Sequence, residues 1–310
     1  MGCEDVEHSQ ILIFPLSDHL RNQKMSCSLL NPVPVGSGRC QLPKQHLSLR
    51  PSLSTHFPGA LSRHGWRAKM VGPVRPKFVL FGSSIVQFSF GDRGWGADIA
   101  DLYSRQADVI LRGYGGWNSS RALQVVDEIF PKDSIIQPSL VIVYFGGNDA
   151  VIPLPFPGGS HVPLPEFINN MTNIVCHIKS LSATTRSIFL TPPPVNSEQI
   201  RELMPGLEKL RTMENLEIYT DAIIDICRDI GVEYVDLFRA VQRRDDWLTF
   251  FTDGVHFNEE GSRVVFEEIK NTINRANWVP SLAAGSMPIE FENIRRLGSF
   301  TFEGSRIILD

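Results

Sequence analysis

The chain has 310 residues, 42% of them hydrophobic, and a formal net charge of −4 at pH 7. That is enough apolar material for a sizeable core, while the dispersed charges form no basic patch of the kind nucleic acid demands. No stretch reaches the roughly 18 consecutive apolar residues of a membrane span.

Residues 1–69 are rich in Ser, Pro and His and contain no acidic residue after Asp18. They show no sustained helical or strand period, so they read as a disordered leader or extension. Their start, MGCEDV, departs from the myristoylation pattern at Val6. No basic region is followed by an apolar one, so a cytoplasmic location is expected, with a plastid transit peptide as the alternative suggested by the acid-poor run from His19 to Lys69. Met70 is a candidate natural start.

A folded domain is expected over residues 74–280. Lys77 to Phe81 is a short, continuously apolar run, which predicts a strand buried on both faces. Gly82 then turns the chain, and Ser83 and Ser84 follow. Trp95 to Gln106 reads as a helix, Asp108 to Arg112 as a strand, Ser119 to Phe130 as a helix and Ser139 to Phe145 as a second buried strand. Glu166 to Leu181 is helical in period, and Ser187 to Leu190 is a strand stopped by three prolines. Leu207 to Ile230 reads as one long amphipathic helix closed by Gly231, followed by a strand over Glu233 to Asp236. After a polar and aromatic loop, Asn258 caps a last helix that runs to about Ala276. Five short strands with helices between them predict an α/β fold: a parallel five-stranded sheet in a three-layer α/β/α arrangement. Residues 281–310 are left as a C-terminal tail in which Ser299 to Phe302 and Arg306 to Leu309 could form a hairpin.

The five cysteines, Cys3, Cys27, Cys40, Cys176 and Cys227, show no CxxC pair and no metal-ligand spacing. Free thiols are expected, with Cys176 and Cys227 as small buried core residues.

Reactive residues fall where the strands end. Ser84 follows the first strand; Gly113, Gly115, Gly116 and Asn118 follow the second; Gly146, Gly147, Asn148 and Asp149 follow the third. Asp253-Gly254-Val255-His256 precedes the last helix. In a parallel sheet such loops share one edge, where ligands bind. Acyl transfer needs such a set: a serine activated by an imidazole, a carboxylate that fixes the imidazole's tautomer, and donors for the tetrahedral oxyanion. Asp253 and His256 are close enough in sequence to meet on one turn.

GSSI at 82–85, RGYGGWN at 112–118, GGND at 146–149 and DGVH at 253–256, in that order, resemble the blocks of the SGNH, or GDSL-type, hydrolases. The likeness runs from about Val71 to Leu282 and is nearest to the branch of isoamyl acetate-hydrolysing esterases and plant GDSL esterases. The resemblance implies a flavodoxin-like SGNH fold, with Ser84 as nucleophile, His256 as base, Asp253 as its orienter, and Gly116 and Asn148 as oxyanion donors beside the Ser84 amide. It also implies a small-molecule ester substrate and no cofactor or metal. Two positions depart from the family pattern: Ser83 stands where GDS has its Asp, and Leu111 where many members have Asn.

Each feature has a plainer reading. Ser84 could be a turn residue and His256 a helix cap; Ser83 is the alternative nucleophile. His161 and His177 lack a nearby acid. DxxH could hint at metal, yet no second cluster joins it. Gly113 to Asn118 misses the dinucleotide pattern at Asn118. Trp95 and Trp117 are read as packing residues. Asn118 and Asn170 begin glycosylation sequons, and a glycan on Asn118 would crowd the oxyanion loop. Leu154 and Phe156, in a proline-rich loop, could line a pocket for the substrate. The expected function is therefore a serine esterase acting on small or medium carboxylic esters through an acyl-enzyme. The alternatives are a catalytically weak module of the same fold that binds an acylated sugar or a protein, and an esterase acting on acetylated polysaccharide. Oligomeric state is not legible.

Overall fold

The computed structural model describes residues 72, 74–91, 93–154 and 159–292, together with the backbone of 300–303 and 306–309. The expected leader, Met70 and Phe156 lie outside the described residues.

From its start the domain runs β1 (Lys77–Gly82), α1 (Ser84–Gln87), α2 (Trp95–Leu102), β2 (Asp108–Gly113), α3 (Ser119–Ile129) and β3 (Leu140–Tyr144). It continues with α4 (Leu164–Lys179), β4 (Arg186–Leu190), α5 (Ser197–Leu203), α6 (Met213–Ile230), β5 (Glu233–Val235), α7 (Leu237–Gln242) and α8 (Glu259–Arg275). The five strands form one sheet in the order β2-β1-β3-β4-β5, and every pairing is parallel. The chain first steps from β1 to β2 on one side and then returns to place β3 on the other. That reversal opens a crevice at the carboxyl ends of β1 and β3.

Both sheet faces are covered, which is why β1 and β3 are continuously apolar instead of alternating. Val79, Phe81, Val141, Val143 and Phe189 pack with α3, α4 and α6. Phe78, Leu80, Leu140, Ile142 and Ile188 point to the other face and pack with α2 and α8. The helices supply matching stripes: Phe167, Met171, Ile174, Val175 and Ile178 of α4 recur at helical spacing and are all buried. Side-chain caps from Asn118, Thr212 and Asn258 start α3, α6 and α8, and Gly231, left-handed at φ 73°, ends α6.

Four expectations are corrected. The stretch from Leu207 to Ile230 is not one helix: a 3-10 turn over Leu207–Lys209 is separated from α6, which begins at Met213 behind its cap Thr212. The segments around 197–203 and 237–242 form α5 and α7, too short to show a clear period. Cys176 is exposed, because it lies off the apolar stripe of α4, whereas Cys227 is buried and burial pushes its thiol up to about 12. His177 does have an acid partner, Asp127 on α3, 3.2 Å from its Nδ1, and its Nε2 lies 2.8 Å from the Phe130 carbonyl.

Packed structure continues past residue 280. Leu282 and Met287 are buried, the Tyr103 hydroxyl donates to the Leu282 carbonyl at 2.9 Å, and Gln106 donates to the carbonyls of Ala284 and Met287. The expected hairpin is present as antiparallel strands β6 (Phe300–Glu303) and β7 (Arg306–Leu309).

Candidate active site

At the end of β1 the chain turns straight into the four-residue α1, so Ser83 and Ser84 face different surroundings. Ser83 is buried at 3% exposure, its N–H donates to the Tyr144 carbonyl on β3, and its carbonyl accepts from Val86 and Gln87. Ser84 is half-buried and its Oγ lies 2.8 Å from His256 Nε2. Beneath α1, the fully buried Trp95 donates its indole N–H to the Ile85 carbonyl at 3.2 Å, which makes it a support for this turn and a packing residue, as expected.

Asp253 and His256 come from a tight loop between α7 and α8. A bridge pairs Phe251 with Phe257, and the Thr252 N–H donates to the His256 carbonyl, closing the loop at its base. Gly254 sits at φ +85°, and a Cβ there would meet Ile200 at 2.5 Å, so only glycine fits. Asp253 Oδ1 accepts the N–H groups of Val255 and His256 at 2.9 and 2.8 Å. Its Oδ2 lies 2.6 Å from His256 Nδ1. An ionised carboxylate only accepts, so Nδ1 carries the proton and Nε2 is left as acceptor for the Ser84 hydroxyl. Burial works to raise the Asp253 carboxyl, but the hydrogen bond and charge of His256 and the two N–H groups outweigh it and hold the group below its usual range.

The other wall of the crevice is made by the loops after β2 and β3. Gly115 donates its N–H to Gln87 Oε1 at 2.5 Å. Gly116 follows at φ +75°, and its N–H has no protein acceptor among the described residues; the same holds for the N–H of Ser84. Asn148, 9% exposed, donates through Nδ2 to the Trp117 carbonyl at 2.8 Å, which joins the two loops. Trp117 itself stacks on Tyr114 at 4.3 Å. The fold thus brings Ser84, His256 and Asp253 into one hydrogen-bonded row and ties the Gly116 and Asn148 loops together.

Both sequon asparagines are engaged. Asn118 caps α3 and donates to the Ser160 carbonyl, while Asn170 is buried and donates to Ser119 and Ser120. Leu111, in β2, packs on the α2 and α8 side of the sheet.

Two further residues reach the site: Asp149, already marked by the GGND block, and Arg211, which the sequence did not single out. Asp149 is fully buried, and its two oxygens accept the N–H groups of Ser119 and Gly146. Arg211 lies in the break before α6 and donates to the Gly147 carbonyl and to Asn148 Oδ1, both at 2.8 Å. Reading 207–230 as one continuous helix hid Arg211. The signal was Thr212, a capping residue type directly before an apolar-periodic run.

Fold and site together define a carboxylic ester hydrolase built on a three-layer α/β/α domain. Within that class the chain belongs to the GDSL-like lipase/acylhydrolase family, whose family model matches residues 80–264. It is 56% identical over 223 residues to a GDSL esterase/lipase of Arabidopsis thaliana, covering 72% of each chain. It is 33% identical over 201 residues to the isoamyl acetate-hydrolyzing esterase 1 homolog of Bos taurus, covering 63% of this chain and 80% of that one. The fold is similar to the crystal structure of a lipase/acylhydrolase from Enterococcus faecalis, with a TM-score of 0.53 at 20% identity over 69% of this chain and 98% of that one.

Proposed function

We propose that the chain hydrolyses small carboxylic esters, acetates among them, through an acyl-enzyme on Ser84. The observation that carries this reading is the unbroken row Asp253–His256–Ser84, with contacts of 2.6 and 2.8 Å. His256 Nε2 takes the Ser84 proton as Oγ attacks the ester carbonyl, and Asp253 balances the imidazolium that forms. The oxyanion is met by the N–H groups of Ser84 and Gly116 and by the Nδ2 hydrogen that Asn148 does not give to Trp117. Collapse expels the alcohol with the proton held on His256. Water then enters and gives a proton to the same imidazole as its oxygen bonds to the acyl carbon; the bond to Ser84 Oγ breaks, His256 returns the proton to Oγ, and the acid leaves. The preference for acetates is supported by the likeness to the bovine relative named for isoamyl acetate. The location we propose is the cytoplasm; a tagged full-length chain found outside the cell would refute it.

The test is hydrolysis of p-nitrophenyl acetate, butyrate and laurate by the full chain in the presence of EDTA, beside Ser84→Ala and Ser83→Ala. Turnover that falls by about a thousandfold or more in Ser84→Ala, and stays within about tenfold of normal in Ser83→Ala, supports the reading. Turnover that persists in Ser84→Ala would sink it. A preference for laurate would remove the small-ester assignment.

A further inference from the structure

The geometry points to Arg211 as a positioning residue that fixes which end of the Asn148 amide faces the reacting ester. This inference rests on the esterase reading above. An asparagine amide has two ends of nearly equal shape and opposite chemistry: Oδ1 accepts and Nδ2 donates. Only the donor end can serve an oxyanion, so a rotated amide would present a repelling oxygen where charge develops.

Two neighbours select the orientation, and each has one role only. The Arg211 guanidinium carries donors alone, so the Asn148 atom 2.8 Å from its Nη2 is the oxygen. The Trp117 carbonyl can only accept, so the atom 2.8 Å from it is Nδ2. One Nδ2 hydrogen is consumed by Trp117 and the other is left for the substrate. The second arm of Arg211, Nη1, holds the Gly147 carbonyl at 2.8 Å, so one planar fork grips both the side chain and the preceding peptide.

Arg211 is itself held from both sides. The Ile152 N–H donates to the Leu210 carbonyl at 2.8 Å, and Asn215 donates to the Ala150 carbonyl at 3.2 Å. The entry to α6 is thereby stapled along the loop that carries Asn148. Desolvation pulls the guanidinium's proton affinity down, and the Tyr144 and Asp253 sides of the site oppose that shift. A positive charge in this position also polarises the amide, which strengthens Nδ2 as a donor. Arg211 precedes the cap Thr212, outside the regular turns of α6.

The test is a double-mutant cycle on p-nitrophenyl acetate hydrolysis with Arg211→Met, Arg211→Lys and Asn148→Ala in the full chain, reading kcat and KM separately with melting curves for each variant. Asn148→Ala is expected to lower kcat by about a hundredfold or more. Arg211→Met should lower kcat by about tenfold to a hundredfold with KM within about threefold, and should cost nothing further in the Asn148→Ala background. Arg211→Lys keeps the charge but reaches only one acceptor, so a loss of about fivefold is expected, again absent without Asn148. If Arg211→Met does not fold, the lysine variant decides. Wild-type kcat in folded Arg211→Lys, or losses that multiply in the double variants, would overturn the inference while leaving the esterase reading intact. Absence of Ser84-dependent turnover in the unmodified chain would overturn both.

Discussion

Asp149 Oδ1 accepts the backbone N–H of Ser119 at 2.8 Å, so a carboxylate from the β3 loop is fixed to the first turn of α3. Its other oxygen takes the N–H of Gly146. This buried group organises the wall of the crevice that carries Asn148, and it does so at an electrostatic cost.

Burial pushes the Asp149 carboxyl up to about 6, against the opposing hydrogen bonds from Ser119 and Gly146. A raised carboxyl means that the folded chain holds a proton the unfolded chain has already released. Its stabilising contribution is therefore full below the unfolded value of 3.8, declines as pH rises toward about 6, and is flat above. Asp149→Asn cannot titrate. Urea unfolding should show wild-type stability relative to this variant falling by on the order of 2 kcal/mol between about pH 4 and 7. A difference that does not change with pH would mean that the carboxyl titrates alike in both states.

Asp253 should show the opposite sign. Its folded-state value lies below the ordinary 3.8, so the unfolded chain takes up the proton first on acidification. The stabilisation it supplies is complete above that pH and is lost as pH falls through the depressed value. Unfolding of Asp253→Asn compared with wild type should differ by a constant amount near neutrality, and the difference should shrink below about pH 4. The same variant should lose about ten-thousandfold in kcat, because an amide no longer enforces the proton on Nδ1.

Gly254→Ala should damage both stability and turnover. The position combines φ +85° with a Cβ site 2.6 Å from the Asn196 carbonyl oxygen, so neither the backbone nor the neighbour can accommodate a methyl. A cost of about 2–3 kcal/mol in unfolding free energy is expected. Turnover at a temperature where the variant is folded should also fall, since Asp253 and His256 flank the strained residue. Unchanged melting and kinetics would show that the loop tolerates another conformation.

A chain ended after Pro280 should be clearly less stable than one ended after Glu292. It would forfeit the buried Leu282 and Met287 and leave the Tyr103 hydroxyl and Gln106 amide without their carbonyl acceptors. A loss on the order of 3 kcal/mol or more is expected. Equal denaturation midpoints would show that this segment only rests on the domain.

The sheet was readable because its strands are short, apolar and punctuated by glycine or proline, and their ends moved by only a residue or two. The row of Ser84, Asp253 and His256 was readable because each lies in a block with a chemical pattern. Arg211 was not, since nothing local marks an arginine whose partners lie more than 60 residues away. His177 and Asp127 escaped for the same reason, being 50 residues apart on neighbouring helices. The packed segment after residue 280 was missed because it has no period of its own; it is held by carbonyl contacts and two buried side chains.

The small loop closed by Phe251 and Phe257 carries Asp253 and His256 together. Local bonds set their mutual placement: the Thr252 N–H to the His256 carbonyl, and the N–H groups of Val255 and His256 to Asp253. The contact of this loop with the end of β1, His256 Nε2 to Ser84 Oγ, by contrast joins residues 172 positions apart in the chain. The Asp253–His256 geometry is thus a property of one short loop, whereas the Ser84 contact is set by how that loop seats against the end of β1.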